Sequence, residues 1–515
     1  MPPGRGTSYS EIGGLPCARL LGLVSTTVEP ASRVLFFDEQ KRNRRASRRF
    51  SAFAAVAVLL SGLPLCILLS PLLFGLIVIA AQVFNLVVPV PAEWWTDMGD
   101  LARATPFVWG KLRGAEASAP APWALLAILV VPGAALMLGA WLWIRGLFKH
   151  VGAGGTVRRF GARPLRRDAL DELQILNIIE ELAVAAGVPP PPAMLIESTA
   201  ANAIAVGRTL DDATVLVSRG LLELDRDARQ AILAHVIASV GNGDLKIASI
   251  ILSVFQTWGL LALLLDAPFG PRARRAIRMF VAASWNAWRA PANNNTAAFM
   301  LDRLMDGAAL RFDDLDEHTA AAGRSGPLWR EVFVHVPLYL TMGVGAIAAK
   351  AAIALFTLFV FGPWVALLWR ARRRLADATA VQLTRNPDAL ARAVREMDGR
   401  NVAIERGVPV SFLFPFWTRW RPGDPPRDDV TAYVVGMHLD LDKRLAALHA
   451  LGAIPASGDD GSLADGVAAR RFEWLALVGW GALAIALVSA CIAFNLVSTS
   501  LLIWGVWSLL QVVFT

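Results

Sequence analysis

Apolar runs long enough to cross a bilayer constrain this chain more than any other feature. A spanning helix needs about 20 predominantly apolar residues. The first run opens near Ser51 and continues to about Pro91. The second is Trp123–Phe148, the third Ile247–Leu265, the fourth roughly Val336–Trp369 and the fifth Trp474–Leu496. A sixth, Leu501–Thr515, is short for a full crossing and is expected to finish a hairpin or lie in the interface. With 55% hydrophobic residues over 515 positions, an ordinary soluble chain is excluded. No apolar core with a small-residue cleavage site follows the start directly, so the first run is expected to stay as an anchor.

Charge gives the orientation. The net charge of +8 is concentrated beside the apolar runs. Cytoplasmic loops are enriched in Lys and Arg, so this excess is read as topology and not as a nucleic-acid surface. "KRNRRASRRF" before the first run holds six basic residues, whereas the loop from about 92 to 122 holds three, balanced by acids. "GTVRRFGARPLRRD" after the second run is basic again, as is "WRARRR" after the fourth. The N-terminus and the segments after 148 and 369 are therefore expected in the cytoplasm, and the protein in the inner membrane. Residues 51–91 then cross once, with Pro64 and Pro71 expected to break or kink them. Tryptophans such as Trp94 and Trp95 flank the runs, where interfacial rings are favoured. Cys17, Cys66 and Cys491 are too scattered for a disulfide framework or a cysteine-based zinc site.

Between the apolar runs lie mixed, globular stretches. "DALDELQILNIIEELAVAAGV" reads as an amphipathic helix, apolar at Leu173, Ile175, Leu176, Ile178 and Ile179. "PPPAMLIES", "ANAIAVG" and "ATVLVSRGLL" read as short strands. Asp225 is placed to cap the following helix. The resulting organisation is an N-terminal extension (1–50), two membrane segments (51–148) and a first globular half (149–245). Two further membrane segments with a soluble insert follow (246–369, insert 267–335), then a second half (370–472) and a C-terminal hydrophobic pair (473–515).

The helix after Asp225 carries "AILAHVIASVGNGD". Four blocks of the chain, this one among them, resemble the HtpX-type membrane zinc metallopeptidases, relatives of the CAAX prenyl proteases. The blocks are "PPPAMLIESTAANAIAVG", "VSRGLLELDRDARQAILAHVIASVGNGD", "RRRLADATAVQLTRNPDALARAV" and "MHLDLDKRLAALHALGA". They stand in the family's order over about 165–453, with membrane segments interrupting the domain as in the family. The resemblance implies a mostly α, integral membrane protein with a split zincin-like α+β peptidase domain. It also implies a site. The family writes His-Glu-x-x-His on this helix: two histidines four apart share a face and hold zinc, and the glutamate activates water. A glutamate from a later helix completes the set.

At those positions this chain has His235, Val236 as the base position and Ser239 as the second ligand position. Aligning "RRRLADA" with the family's "REYLADA" puts Arg373 at the distal ligand. No Asp or Glu lies between Asp227 and Asp244, and none between Glu331 and Asp377, so a register slip does not restore the set. No catalytic residue, no metal ligation and no cofactor are therefore expected, with zinc implied only if Asp244, Asp377 or His438 supplies ligands instead. His235 is otherwise a packed, hydrogen-bonded histidine, and His438 matches a family histidine outside the metal shell. Arg373 either points at lipid headgroups or enters the cavity as a cross-link to Asp377 or Asp244. Asn202, Ala203, Ile204 and Ala205 match the family's substrate-pairing edge, and an unpaired edge can take a peptide by strand addition. The alternative is an internal strand. The leading expectation is a catalytically inactive pseudoprotease that binds or regulates a membrane-protein or peptide partner, without nucleic acid. An active endopeptidase with non-standard ligands and a structural subunit of a membrane complex are the alternatives.

Overall fold

The computed structural model describes residues 36–85, 122–267, 271–289, 344–398 and 441–455, with a few isolated positions besides. His438, the fifth and sixth apolar runs apart from single positions, and most of the 267–335 insert lie outside them.

The chain enters on one helix, α1 (Phe36–Asn85), 50 residues and so about 75 Å long. Neither Pro64 nor Pro71 ends it, because neighbouring packing can offset the lost backbone bond where helices pack together. The expected division at residue 50 is not a structural boundary either. Glu39, Gln40, Asn43 and Ser47 form a buried polar stripe at helical spacing, so the basic entry stretch continues the apolar helix. Next comes α2 (Pro122–Arg159), then α3 (Leu170–Ala186), the expected amphipathic helix. It buries Ile175, Ile178, Ile179 and Leu182 and ends on Gly187 in the left-handed region.

The three expected strands form, and a two-residue strand not expected from the sequence joins them. β1 (Arg163–Pro164), β2 (Ala193–Ile196), β3 (Ala203–Val206) and β4 (Thr214–Ser218) make a sheet of order β1-β2-β4-β3. β2 and β4 run parallel, and the outer pairs are antiparallel. α4 (Arg226–Gly241) follows, and Asp225 caps it by accepting from the Ala228 N–H at 2.6 Å, a contact worth about 1 kcal/mol. Gly243, at φ 79°, turns the chain into α5 (Asp244–Asp266), and α6 (Pro271–Arg289) comes after it. The fourth apolar run is helical in three pieces: α7 (Val344–Leu355), a π-helical stretch at Phe356–Phe361 and α8 (Gly362–Thr384). Pro363 lacks the N–H an α-helical ladder needs there, which accounts for the shifted bonding just before it. α9 (Pro387–Asp398) and α10 (Leu441–Ala450) complete the described chain. By length and composition, Val130–His150 within α2 and all of α5 are apolar enough to cross a bilayer.

One hydrophobic core draws on both globular stretches. Ile175, Ile179, Leu195, Val215, Ile232 and Ile237 from the first pack with Val381, Leu390, Val394, Leu445 and Leu448 from the second. A second core of Phe255, Trp258, Phe361, Val365 and Trp369 joins α5, α8 and α1. α8 thus passes from one core to the other, and the charged residues Arg370, Arg372, Arg373, Arg374 and Asp377 fall at the passage.

Candidate functional site

α4 and α8 pack against each other, and their facing surfaces carry the residues singled out from sequence. His235, Val236 and Ser239 are buried on α4, and Arg373 and Asp377 on α8. Val236 lies within the apolar core. The Ser239 hydroxyl donates to the Val236 carbonyl at 2.7 Å, the local bond a serine inside a helix makes.

His235 is held from behind. Its Nδ1 is 2.7 Å from Asp377 Oδ1. Arg444 on α10 donates to the same carboxylate twice, Nε to Oδ2 at 2.9 Å and Nη2 to Oδ1 at 2.7 Å. Burial raises the Asp377 carboxyl, but the Arg444 guanidinium and His235 outweigh it and hold it below the usual carboxylate range. An ionised carboxylate only accepts hydrogen bonds, so Nδ1 carries the hydrogen. Burial also pushes the imidazole below its usual value, against the pull of Asp377, and Arg444 and Arg373 push it down further. His235 is therefore neutral at pH 7. A carboxylate on one ring nitrogen is the support a metal-binding histidine usually has.

The cross-link expected of Arg373 is made by its neighbours. Asp377 is tied to Arg444, and Asp244 is tied to Arg372, whose Nε and Nη2 both reach Asp244 Oδ1. Arg372 Nη2 also donates to the Asn242 carbonyl at 2.6 Å, joining α8 to the turn between α4 and α5. Arg373 does point inward and is 3% exposed. That corrects the headgroup alternative. However, its Nε and Nη2 have no hydrogen-bond partner among the described residues. Burial, with the like charge of Arg444 added, pulls its guanidinium down to about 9, against Asp377 and Asp244. The reason for the correction is geometric. Arg372 lies about 100° round α8 from Arg373 and faces the α4–α5 turn, while Asp377, on the same face as Arg373, is taken up by Arg444.

Neither donor to these carboxylates was singled out from sequence. Arg444 occupies the arginine of the fourth family-like block, which was the available signal. Arg372 occupies the arginine that opens the family's "REYLADA", aligned here with "RRRLADA", which was its signal.

The edge segment divides. β3 is the terminal strand of the sheet, paired only to β4 among the described residues, but all four of its residues are buried. Asn202 is a structural bridge between β3 and β4. Its N–H donates to Ser218 Oγ at 2.7 Å, and its carbonyl accepts from that hydroxyl at 2.8 Å.

Zinc takes three or four N, S or O donors in a tetrahedral arrangement. Val236 offers no donor, Arg373 offers only hydrogens and positive charge, and both singled-out carboxylates are taken up by arginines. Among the described residues no three His, Cys, Asp or Glu side chains converge as a metal group. The residues at these positions do not suit the ion.

A helix-borne histidine held by a carboxylate from a later helix thus lies beside a small mixed sheet. The chain matches peptidase family M48 over residues 169–297. It is 24% identical over 286 residues to the protease HtpX homolog of Limosilactobacillus reuteri, covering 55% of this chain and 74% of that protein. It is 37% identical over 91 residues to the HtpX homolog of Thermoanaerobacter pseudethanolicus, 18% of this chain and 29% of that one. With the homolog of Tropheryma whipplei it shares 32% over 103 residues, 20% and 35% of the two lengths. On these matches residues 169–297 carry a peptidase family M48 domain, and the chain is similar to HtpX-like members of that family. No solved structure matches it.

Proposed function

We propose that this chain is a non-catalytic membrane member of its family, a pseudoprotease that binds or regulates a membrane-protein or peptide partner. The observation that carries the reading is Arg373. A guanidinium buried in the core with His235, lowering its affinity for a proton, opposes a dication in the same space for the same electrostatic reason. Val236 and Ser239 supply neither the base nor the second ligand that hydrolysis by this family's chemistry requires. The reading takes no zinc and no other cofactor.

The remaining features are binding features. β3 ends the sheet, so displacement of whatever covers it would open a pairing edge for an extended segment. The apolar helices and the basic flanks support a multi-pass protein of the inner membrane with residues 149–245 and 370–472 on the cytoplasmic side. Impermeant cysteine labelling from outside should miss single cysteines at positions 160 and 400.

The test is proteolysis by the full detergent-purified chain with zinc supplied, on unfolded and membrane-embedded substrates. No cleavage is expected above that of a His235→Ala variant. Chelator-sensitive cleavage lost in His235→Ala contradicts the proposal and favours an enzyme with a non-standard ligand set.

A further inference from the structure

A cavity of about 500 Å³ lies between α1, α8 and the α4–α5 turn, away from His235. Arg44, Ser47, Arg48 and Ser51 of α1 line one side, and Asn242 and Arg372 the other. Its charge is one-sided. Arg372 is balanced by Asp244, but Arg44 and Arg48 have no ion pair among the described residues. A second cavity of about 450 Å³ shares Arg44 and Arg48 and adds Lys41 and Arg45, extending the basic surface along α1.

The level of the cavity is set independently by three elements. On α1 the basic stretch gives way to the apolar run at Ser51. Asn242 and Ile247 flank the first residue of α5, where its apolar stretch begins. On α8 the charged residues start directly after Trp369. All three polar-to-apolar boundaries meet at its lining, where a bilayer would place its headgroups.

We infer that this cavity holds the phosphate of an anionic phospholipid headgroup, with Arg44 and Arg48 as the charge partners and Ser47 and Ser51 as hydroxyl donors. The two guanidiniums are solvent-exposed on the open side of the cavity and free to take an anion, since planar forks suit phosphate oxygens and a basic pocket between membrane helices suits a lipid headgroup. The inference rests on the reading of α1 and α5 as membrane helices. A soluble anion shares the phosphate chemistry but not the reason for the cavity's level.

The full chain reconstituted in vesicles tests both. Native mass spectrometry after release from mixed phosphatidylglycerol and phosphatidylcholine should find phosphatidylglycerol retained. Retention should fall about five-fold for each of Arg44→Gln and Arg48→Gln. Arg226→Gln, an equal charge change at the far end of α4, should retain the lipid as the parent does. Equal retention by the Arg44→Gln, Arg48→Gln double variant overturns the inference. So does displacement of the lipid by millimolar inorganic phosphate, which would assign the cavity to a soluble anion. Extraction of the parent from phosphatidylcholine vesicles by alkaline carbonate overturns the membrane reading, and the lipid assignment with it. Retention in those vesicles without preference for phosphatidylglycerol overturns the lipid assignment alone.

Discussion

Two sets of side chains on the same pair of helices have been treated differently. Behind His235, Asp377 is satisfied by an imidazole and a two-pronged arginine from α10. In front of it, where the family resemblance places the base and two metal contacts, stand an isopropyl group, a hydroxyl turned onto its own helix, and a guanidinium with two unpartnered nitrogens. Hydrogen bonding is complete on the supporting side and incomplete on the contacting side. The supporting residues have a second use, because they tie α4, α8 and α10 into one core. Of the contacting residues, Val236 packs in the apolar core, while Arg373 ties no element to another through a side-chain hydrogen bond among the described residues.

Breaking the back should cost most. Arg444→Met leaves Asp377 ionised and buried with a neutral imidazole, and should destabilise the full chain by about 3–5 kcal/mol in thermal unfolding. Adding Asp377→Asn should recover part of that loss. An Arg444→Met protein melting with its parent would remove the comparison's basis. Arg372→Met should cost less, about 1–3 kcal/mol. Its carboxylate partner already has one unbonded oxygen, and its cavity admits water.

The imidazole gives a pH test. A histidine whose pKa is lowered on folding binds a proton more readily when unfolded. Its contribution is complete above the ordinary value of 6.5 and is lost as pH falls below it. The imidazole alone should remove up to about 1.4 kcal/mol per pH unit just below that point, and Asp244, whose carboxyl burial raises to about 6, should offset part of it. The slope there should be shallower in His235→Gln, and equal slopes would mean that the imidazole titrates normally.

Arg373→Met should have the smallest effect, neutral or stabilising by about 1 kcal/mol, because it removes a buried cation without orphaning a hydrogen-bonded partner. A loss comparable to that of Arg444→Met would mean that Arg373 belongs to the supporting set.

The pattern of the chain carried the strands, the amphipathic helix and the Asp225 cap, since each is a local signal. It also carried the pair of carboxylates, because Asp244 and Asp377 are the nearest acids to the changed positions in their blocks. It did not carry their partners. Which of three consecutive arginines faces the α4–α5 turn depends on the rotation of α8, and that is set by Trp369, Val365 and Phe361 packing two turns earlier. Arg444 is 67 residues from Asp377, and no local rule joins them. The polar stripe of Glu39, Gln40, Asn43 and Ser47 was present at helical spacing, but six surrounding basic residues masked it as a topological flank.

The metal content of the purified full chain bears most directly on whether the contacting side has been lost. Elemental analysis after zinc loading and buffer exchange should give well below one zinc per chain, unchanged by His235→Ala. About one zinc per chain, removed by His235→Ala, would contradict the account.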